Sequence, residues 1–258
     1  MVIADRFKSR PGAETVRLPS GGEMTLAVEH AAAILVNEQT AFRVVCTPEL
    51  LPQLALGRLL TEGWITCADE VEQIAVCAEG LKVSVHLTHP LETAAAGQEV
   101  PSCCTDNLTV ASPVKLRPLA PVPQREIPDE WVETLAAAMG DELPLYRATH
   151  AVHSCFVLRD GKILYQCEDL GRHNALDKAV GCALAEGVQL GQCVLYTSGR
   201  VPVDMVRKAI RAGVPALVSK TMPTVQSLEL AEAYGLKLLI RKKKSFHAAA
   251  KKVREYSG

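Results

Sequence analysis

The stretch VHSCFVLRDGKILYQCEDLGRHNALDK, Val152 to Lys178, decides how the chain is read. Two apolar runs, Val152–Leu158 and Lys162–Cys167, flank Asp160-Gly161, a dipeptide suited to the positive φ of a tight hairpin turn. They predict two antiparallel strands. The second runs directly into EDLGRHNALDK, Glu168 to Lys178, and the spacing then predicts a helix over about Asn174–Glu186. Downstream the pattern repeats: a buried strand over Gln192–Thr197, a helix over Val203–Ala212, a short strand over Ala216–Ser219. A helix over Val225–Tyr234 and a last strand over Leu236–Ile240 complete it. Strands alternating with helices behind a hairpin predict an α/β fold, here a three-layer α/β/α sandwich. In such sheets ligands bind beyond the carboxyl ends of the strands.

Working back toward the N-terminus, Asp129–Met139 reads as a helix stopped by Gly140. Residues 111–128 are Pro-rich and lack apolar periodicity, so they read as a linker. Before it, Met24–Val36 and Thr40–Val45 alternate as strands do. Leu50–Glu62 has helical spacing with Gly63 as its stop, and Val71–Val76 with Leu81–Leu87 form a hairpin around Glu79-Gly80. This half reads as α+β. The expected organisation is therefore an α+β domain over 1–110, a linker over 111–128 and an α/β/α domain over 129–258.

Composition fits that division. Of 258 residues, 48% are apolar and 22% charged, which excludes a disordered chain, while aromatics at 4% leave the core to Leu, Val, Ile and Ala. A net charge of -1 argues against a general nucleic-acid binder. No apolar run approaches the ~20 residues of a membrane span, and the N-terminus lacks a hydrophobic signal core, so a cytoplasmic protein is expected. There, nine cysteines are expected to be mostly reduced.

Each predicted strand of the second half ends in polar residues. Ser198-Gly199-Arg200 follow one strand, Lys220 and Thr221 another, with Pro223-Thr224 opening a helix, and Arg241, Lys242, Lys243 and Lys244 follow the last. Gly171 and Gly199 permit close backbone approach. Arg172 and Arg200 can hold phosphate oxygens in bidentate fashion, and helix N-termini offer free N–H groups to an anion. Glu168, Asp169 and Asp177 can accept from a base edge, a sugar hydroxyl or a pterin amino group, while His173 and Asn174 can donate or accept. Plainer roles stand beside these: Asn174, Asp177 and Ser198 suit helix caps, Asp169 and Arg172 an ion pair, and a basic run is usually solvated. His173 has no second His or Cys at ligand spacing, so no metal site is expected. The P-loop and dinucleotide glycine patterns are also absent.

EDLGRHNALDK, with Ser198-Gly199-Arg200, Pro223-Thr224, Thr47-Pro48 and LALGRLLTEG at Leu54–Gly63, resembles the formate dehydrogenase accessory sulfurtransferases, the FdhD family. The resemblance spans about residues 25–245. It implies a homodimer that takes sulfur from a cysteine desulfurase as a persulfide. That sulfur passes to the molybdenum bis(molybdopterin guanine dinucleotide) cofactor destined for formate dehydrogenase. It also implies a second domain like the cytidine deaminase fold without its zinc. The residues implied to face the cofactor are Glu168, Asp169, Gly171, Arg172, His173, Asn174, Asp177, Lys178, Ser198, Gly199, Arg200, Pro223 and Thr224. A C-terminal segment contributes in the family. Here it is Arg241–Phe246, including Ser245, without the usual Gly-Arg.

The family carries its persulfide on a loop, normally in a CxxC. The matching loop here reads VPSCCTDN: Cys103 falls on the first position, the second is Asp106, and Cys104 is adjacent. A sulfur carrier needs an accessible, mobile thiolate, and a second thiol can release the sulfur by forming a disulfide. Adjacent cysteines do so only with strain. The departure leaves a second possibility open, a cofactor- or guanine-nucleotide-binding chaperone that transfers no sulfur. A third, a deaminase-like hydrolase, is opposed by the missing zinc ligands. Cys46, before Thr47-Pro48, suits either core or cofactor contact.

Overall fold

The computed structural model describes residues 1–92, 108–109, 114–138, 143–242 and 245–248. The first half contains β1 (Val2–Asp5), β2 (Ala13–Arg17), β3 (Glu23–Ala27), β4 (His30–Val36), β5 (Gln39–Cys46), α1 (Leu51–Thr61), β6 (Val71–Val76), β7 (Lys82–Leu87) and β8 (Leu108–Thr109). The second contains α2 (Asp129–Ala138), α3 (Pro144–Thr149), β9 (His153–Arg159), β10 (Lys162–Asp169), α4 (Arg172–Ala185), β11 (Cys193–Thr197) and α5 (Val203–Ala212). It closes with β12 (Ala216–Ser219), α6 (Val225–Tyr234), β13 (Lys237–Lys242) and β14 (Ser245–Ala248).

Two six-stranded mixed sheets result, ordered β1-β6-β7-β4-β5-β8 and β10-β9-β11-β12-β13-β14. In the second, side chains alternate between faces with the period of two that strands impose. Cys155, Val157, Leu195 and Leu217 join α4 and α5 in the main core. Phe156, Leu158, Val194, Tyr196, Ala216 and Val218 pack under Trp131 and Leu135 of α2. A sheet with helices on both faces is the α/β/α layering expected of this half.

Several boundaries differ from the sequence reading. The alternation of Met24–Val36 is divided between two strands. β3 pairs with β2 in a separate ribbon, whereas β4 lies inside the first sheet. The expected last strand does not stop at Ile240. Arg241 and Lys242 continue β13 and pair with Phe246 and Ser245 of β14. Basic residues mask a strand from an apolar-periodicity reading, yet their backbone pairs as well as any other. Lys243 and Lys244 lie outside the described residues. The strands β1 and β2 and helix α3, at four, five and six residues, are too short to be read from periodicity.

The Pro-rich segment is bonded to both halves. The Arg117 N–H donates to Gly63 O and the Val122 N–H to Tyr234 O, and Val114 and Val122 are buried. Glu92 and Lys115, on either side of the stretch that holds the cysteine pair, are joined by a backbone hydrogen bond of 2.8 Å. Cys103 and Cys104 themselves lie outside the described residues.

The two halves meet along α1 and α4, which approach to backbone contact. A Cβ on Gly57 would stand 1.8 Å from the Asp177 carbonyl oxygen, and one on Gly181 would stand 1.8 Å from that of Gln53. Only glycine fits at either position. Around this crossing lies a buried charge cluster. Asp177 accepts from Thr61 Oγ1 at 2.6 Å and from Lys208 Nζ at 2.9 and 3.0 Å, with Arg58 3.7 Å away. Lys208 also pairs with Glu62 at 2.8 Å.

Burial works against the Glu62 charge, but Lys208, Arg58 and Arg211 outweigh it and hold its carboxyl down to about 2 from an ordinary 4.5. A depressed folded-state value contributes stability that is fully present above about pH 4.5. That stability is lost as pH falls toward 2. The Glu62→Gln variant is therefore expected to show a flatter loss of urea stability between those two pH values than the parent chain. Parallel acid limbs would contradict the pairing.

Candidate functional site

The second sheet brings four carboxyl strand ends to one edge. β10 and β11 are each antiparallel to β9, so they run parallel to each other, and β12 and β13 follow β11 in parallel. The start of β9, at His153, lies at the same edge opposite Asp169. The connecting loops are knitted together. The Ser198 N–H donates to Ser154 O at 3.0 Å, and the Ser154 N–H donates to Ser198 Oγ at 2.8 Å. Thr221 Oγ1 and Ser219 Oγ donate to Gly199 O at 2.8 and 3.3 Å. Val201 and Pro223 form a parallel bridge.

The residues expected to bind a ligand divide into two groups by placement. One group is buried between the halves and spends its polar atoms there. Asp169 accepts from the Thr47 N–H and the Gly171 N–H, both at 3.0 Å, and from Asn174 Nδ2 at 2.9 Å. It also pairs with Lys178 Nζ at 2.7 Å, both side chains being fully buried. Lys178 further donates to Thr47 Oγ1 at 2.6 Å and Thr47 O at 3.2 Å, and Asn174 donates to Val45 O. Asp177 belongs to the cluster beside α1 described above. Glu168 accepts the Leu145 and Tyr146 N–H groups at 2.9 and 2.7 Å, capping α3 with its carboxylate. Burial pushes the Glu168 carboxyl up, and those two bonds offset part of the rise.

The other group stands at the strand-end edge. Arg172 opens α4, and its stem lies over Gly199, where a Cβ would stand 2.5 Å from Arg172 Cβ. This contact explains the need for glycine in Ser198-Gly199-Arg200. The guanidinium is largely buried, and its Nε has no hydrogen-bond partner among the described residues. His153 is half-buried, with Nδ1 3.5 Å from Ser198 Oγ. Burial, with Arg172, His173 and Arg200 nearby, pulls its imidazole down, which favours the neutral ring. His173 Nε2 meets Asp204 Oδ2, from the first turn of α5, at 2.7 Å. Burial alone would raise the Asp204 carboxyl, but that bond and charge hold it down. Arg200 is exposed. Thr224 caps α6 through a reciprocal exchange with Ser227, its Oγ1 accepting the Ser227 N–H at 3.2 Å.

This edge therefore concentrates cations beside two helix starts, α4 and α5, which suits an anion. The model of the FdhD/NarQ family matches residues 27–250. The chain belongs to that family. A Bacillus subtilis relative called "Sulfur carrier protein FdhD" is 30% identical, the alignment covering 83% of each chain. One of the same name from Nocardia farcinica is 32% identical over 87% of this chain and 86% of its own. A solved structure from Desulfotalea psychrophila, described as a formate dehydrogenase accessory protein, superposes with a TM-score of 0.69 and 28% identity. It covers 92% of this chain and 94% of that one.

FdhD/NarQ membership does not by itself reveal the inner shell of this site. Sequence reasoning missed Thr47, Arg58, Thr61, Asp204 and Lys208 as partners of the 168–178 segment. One signal was available for Lys208. It lies on α5 among Met205, Val206, Ala209 and Ile210, all buried, so its ammonium required a buried partner. Cys46 proves to be core: it is fully buried, 3.5 Å from His30 O as donor, and burial with the Asp169 charge pushes its thiol up to about 12.

Proposed function

We propose that this protein is a sulfur carrier of formate dehydrogenase maturation. Its Cys103 thiolate attacks the outer sulfur of a cysteine desulfurase persulfide. The desulfurase thiolate leaves, and Cys103 retains the sulfur. The recipient is the molybdenum bis(molybdopterin guanine dinucleotide) cofactor, bound as cargo at the strand-end edge by a cytoplasmic homodimer. The names carried by the relatives support the sulfur role. The observation that carries the cofactor role is Arg172, buried over Gly199 beside His153 and two helix starts, its Nε without a hydrogen-bond partner among the described residues. A diphosphate oxygen supplies the acceptor that this donor lacks, and Arg200 is exposed at the same edge to meet a second one.

The full chain is expected to gain one sulfur on the Cys103 peptide when incubated with a cysteine desulfurase and cysteine, as read by mass spectrometry. It is expected to bind guanosine diphosphate about tenfold more tightly than the Arg172→Ala variant, the worth of one hydrogen bond to a charged group. An unmodified cysteine pair together with intact nucleotide binding would favour the chaperone without sulfur transfer, which the Asp106 departure motivates. Neither sulfur uptake nor nucleotide binding would overturn both.

A further inference from the structure

Cys167, near the end of β10, and Cys182, in the last turns of α4, are fifteen positions apart in sequence, yet their sulfur atoms stand 4.0 Å apart. The two differ in access. Cys167 is buried at 3% exposure, whereas Cys182 is partly open to solvent. Cys155 sits directly across from Cys167 on β9 and helps raise its thiol, but it is as fully buried as Cys193, so neither offers a reagent an open sulfur. Two adjacent buried thiols would be ordinary small apolar packing. One open and one sealed thiol in contact make a different arrangement, because a reagent can reach only the first.

We infer that Cys182 and Cys167 form a second thiol site that reacts with electrophilic sulfur, Cys182 as the attacking thiol and Cys167 as the resolving one. With a small disulfide, the Cys182 thiolate attacks one sulfur. That S–S bond breaks, and the departing thiolate takes the electron pair and a proton from water. Cys167 then attacks Cys182 Sγ, and the thiolate it expels takes up the Cys167 proton. Two protein thiols are oxidised to a disulfide, and one small disulfide is reduced to two thiols. With a persulfide the first attack leaves Cys182 carrying the outer sulfur, and Cys167 then expels it as hydrogen sulfide. The same protein disulfide results. Closing it requires the sulfurs to approach by about 2 Å, to the bonded distance.

The electrostatics agree with this order. The contact with Cys182 raises the Cys167 thiol, as does burial. The same contact lowers Cys182 against its burial and against Glu186, with Lys178 one turn earlier assisting. The disulfide would fasten β10 to α4 within the segment that sets Asp169 and Lys178. This site does not depend on the cofactor proposed above, and its chemistry is read separately.

The test uses the full chain carrying Cys103→Ser and Cys104→Ser, treated in separate arms with oxidised glutathione and with glutathione persulfide, then mapped without reduction. The expected product is a Cys167–Cys182 disulfide reversed by dithiothreitol. Hydrogen sulfide is released only in the persulfide arm, and the arm that reacts faster identifies the source. With Cys167→Ser added, Cys182 is expected to retain glutathione in one arm and an extra sulfur in the other. If Cys182 stays fully alkylatable in both arms while exposed Cys67 is modified, the site is overturned. That comparison holds in the chain that keeps Cys167, whether or not the third substitution folds.

Discussion

Gly181→Ala is expected to destabilise the protein by about 3 kcal/mol or more, although alanine is the better helix former. In an exposed helix the exchange would stabilise by roughly 1 kcal/mol. Here a Cβ would stand 1.8 Å from Gln53 O and 2.6 Å from its carbonyl carbon, both backbone atoms of α1 that no rotamer change can move aside. The helices must separate by more than an ångström, and overpacking of a rigid contact typically costs about 1–3 kcal/mol by itself. Separation also draws Arg58 and Thr61 away from Asp177, and Thr47 away from Asp169, so buried charges lose partners at the same time. Gly57→Ala, which meets Asp177 O at 1.8 Å, is expected to behave alike. Urea unfolding measures both. A rise in stability for either would mean that α1 and α4 are not in contact.

The contrast between what the sequence announced and what it concealed follows from the range of the interactions. Hairpin, helices and parallel strands after Val152 were legible because each is set by local periodicity and turn chemistry. Their strand ends then follow from topology alone. The fate of the polar residues in EDLGRHNALDK was not legible. Asp169 and Asp177 sit eight residues apart in one motif, yet their partners come from Thr47, Thr61 and Lys208, more than thirty to more than a hundred positions away. A polar residue near a strand end looks the same in sequence whether it faces a ligand or a partner from the other half. The glycines gave a partial hint: Gly57 within LALGRLLTEG and Gly181 within α4 interrupt good helix formers, which signals a close approach without naming what approaches.

Lys178→Met is expected to cost about 3–5 kcal/mol, the loss that follows when one partner of a buried ion pair is removed and the other is left charged. Methionine matches the length and apolar stem of lysine, so the deficit measures the ammonium group and not a cavity. All three of its protons are committed, to Asp169 Oδ2 at 2.7 Å, Thr47 Oγ1 at 2.6 Å and Thr47 O at 3.2 Å. Without them Asp169, with no exposed surface, keeps backbone donors from Thr47 and Gly171 and the Asn174 amide but no ion-pair partner among the described residues. Adding Asp169→Asn removes the stranded charge while keeping one acceptor oxygen, so the double variant is expected to be more stable than Lys178→Met alone. Such a coupling marks Lys178 as the lock between β5 and α4, acting on the site only by holding its frame. If instead Lys178→Met unfolds like the parent chain in urea but loses guanosine diphosphate, the ammonium acts on the ligand directly. The pairing with Asp169 would then not persist when ligand is bound.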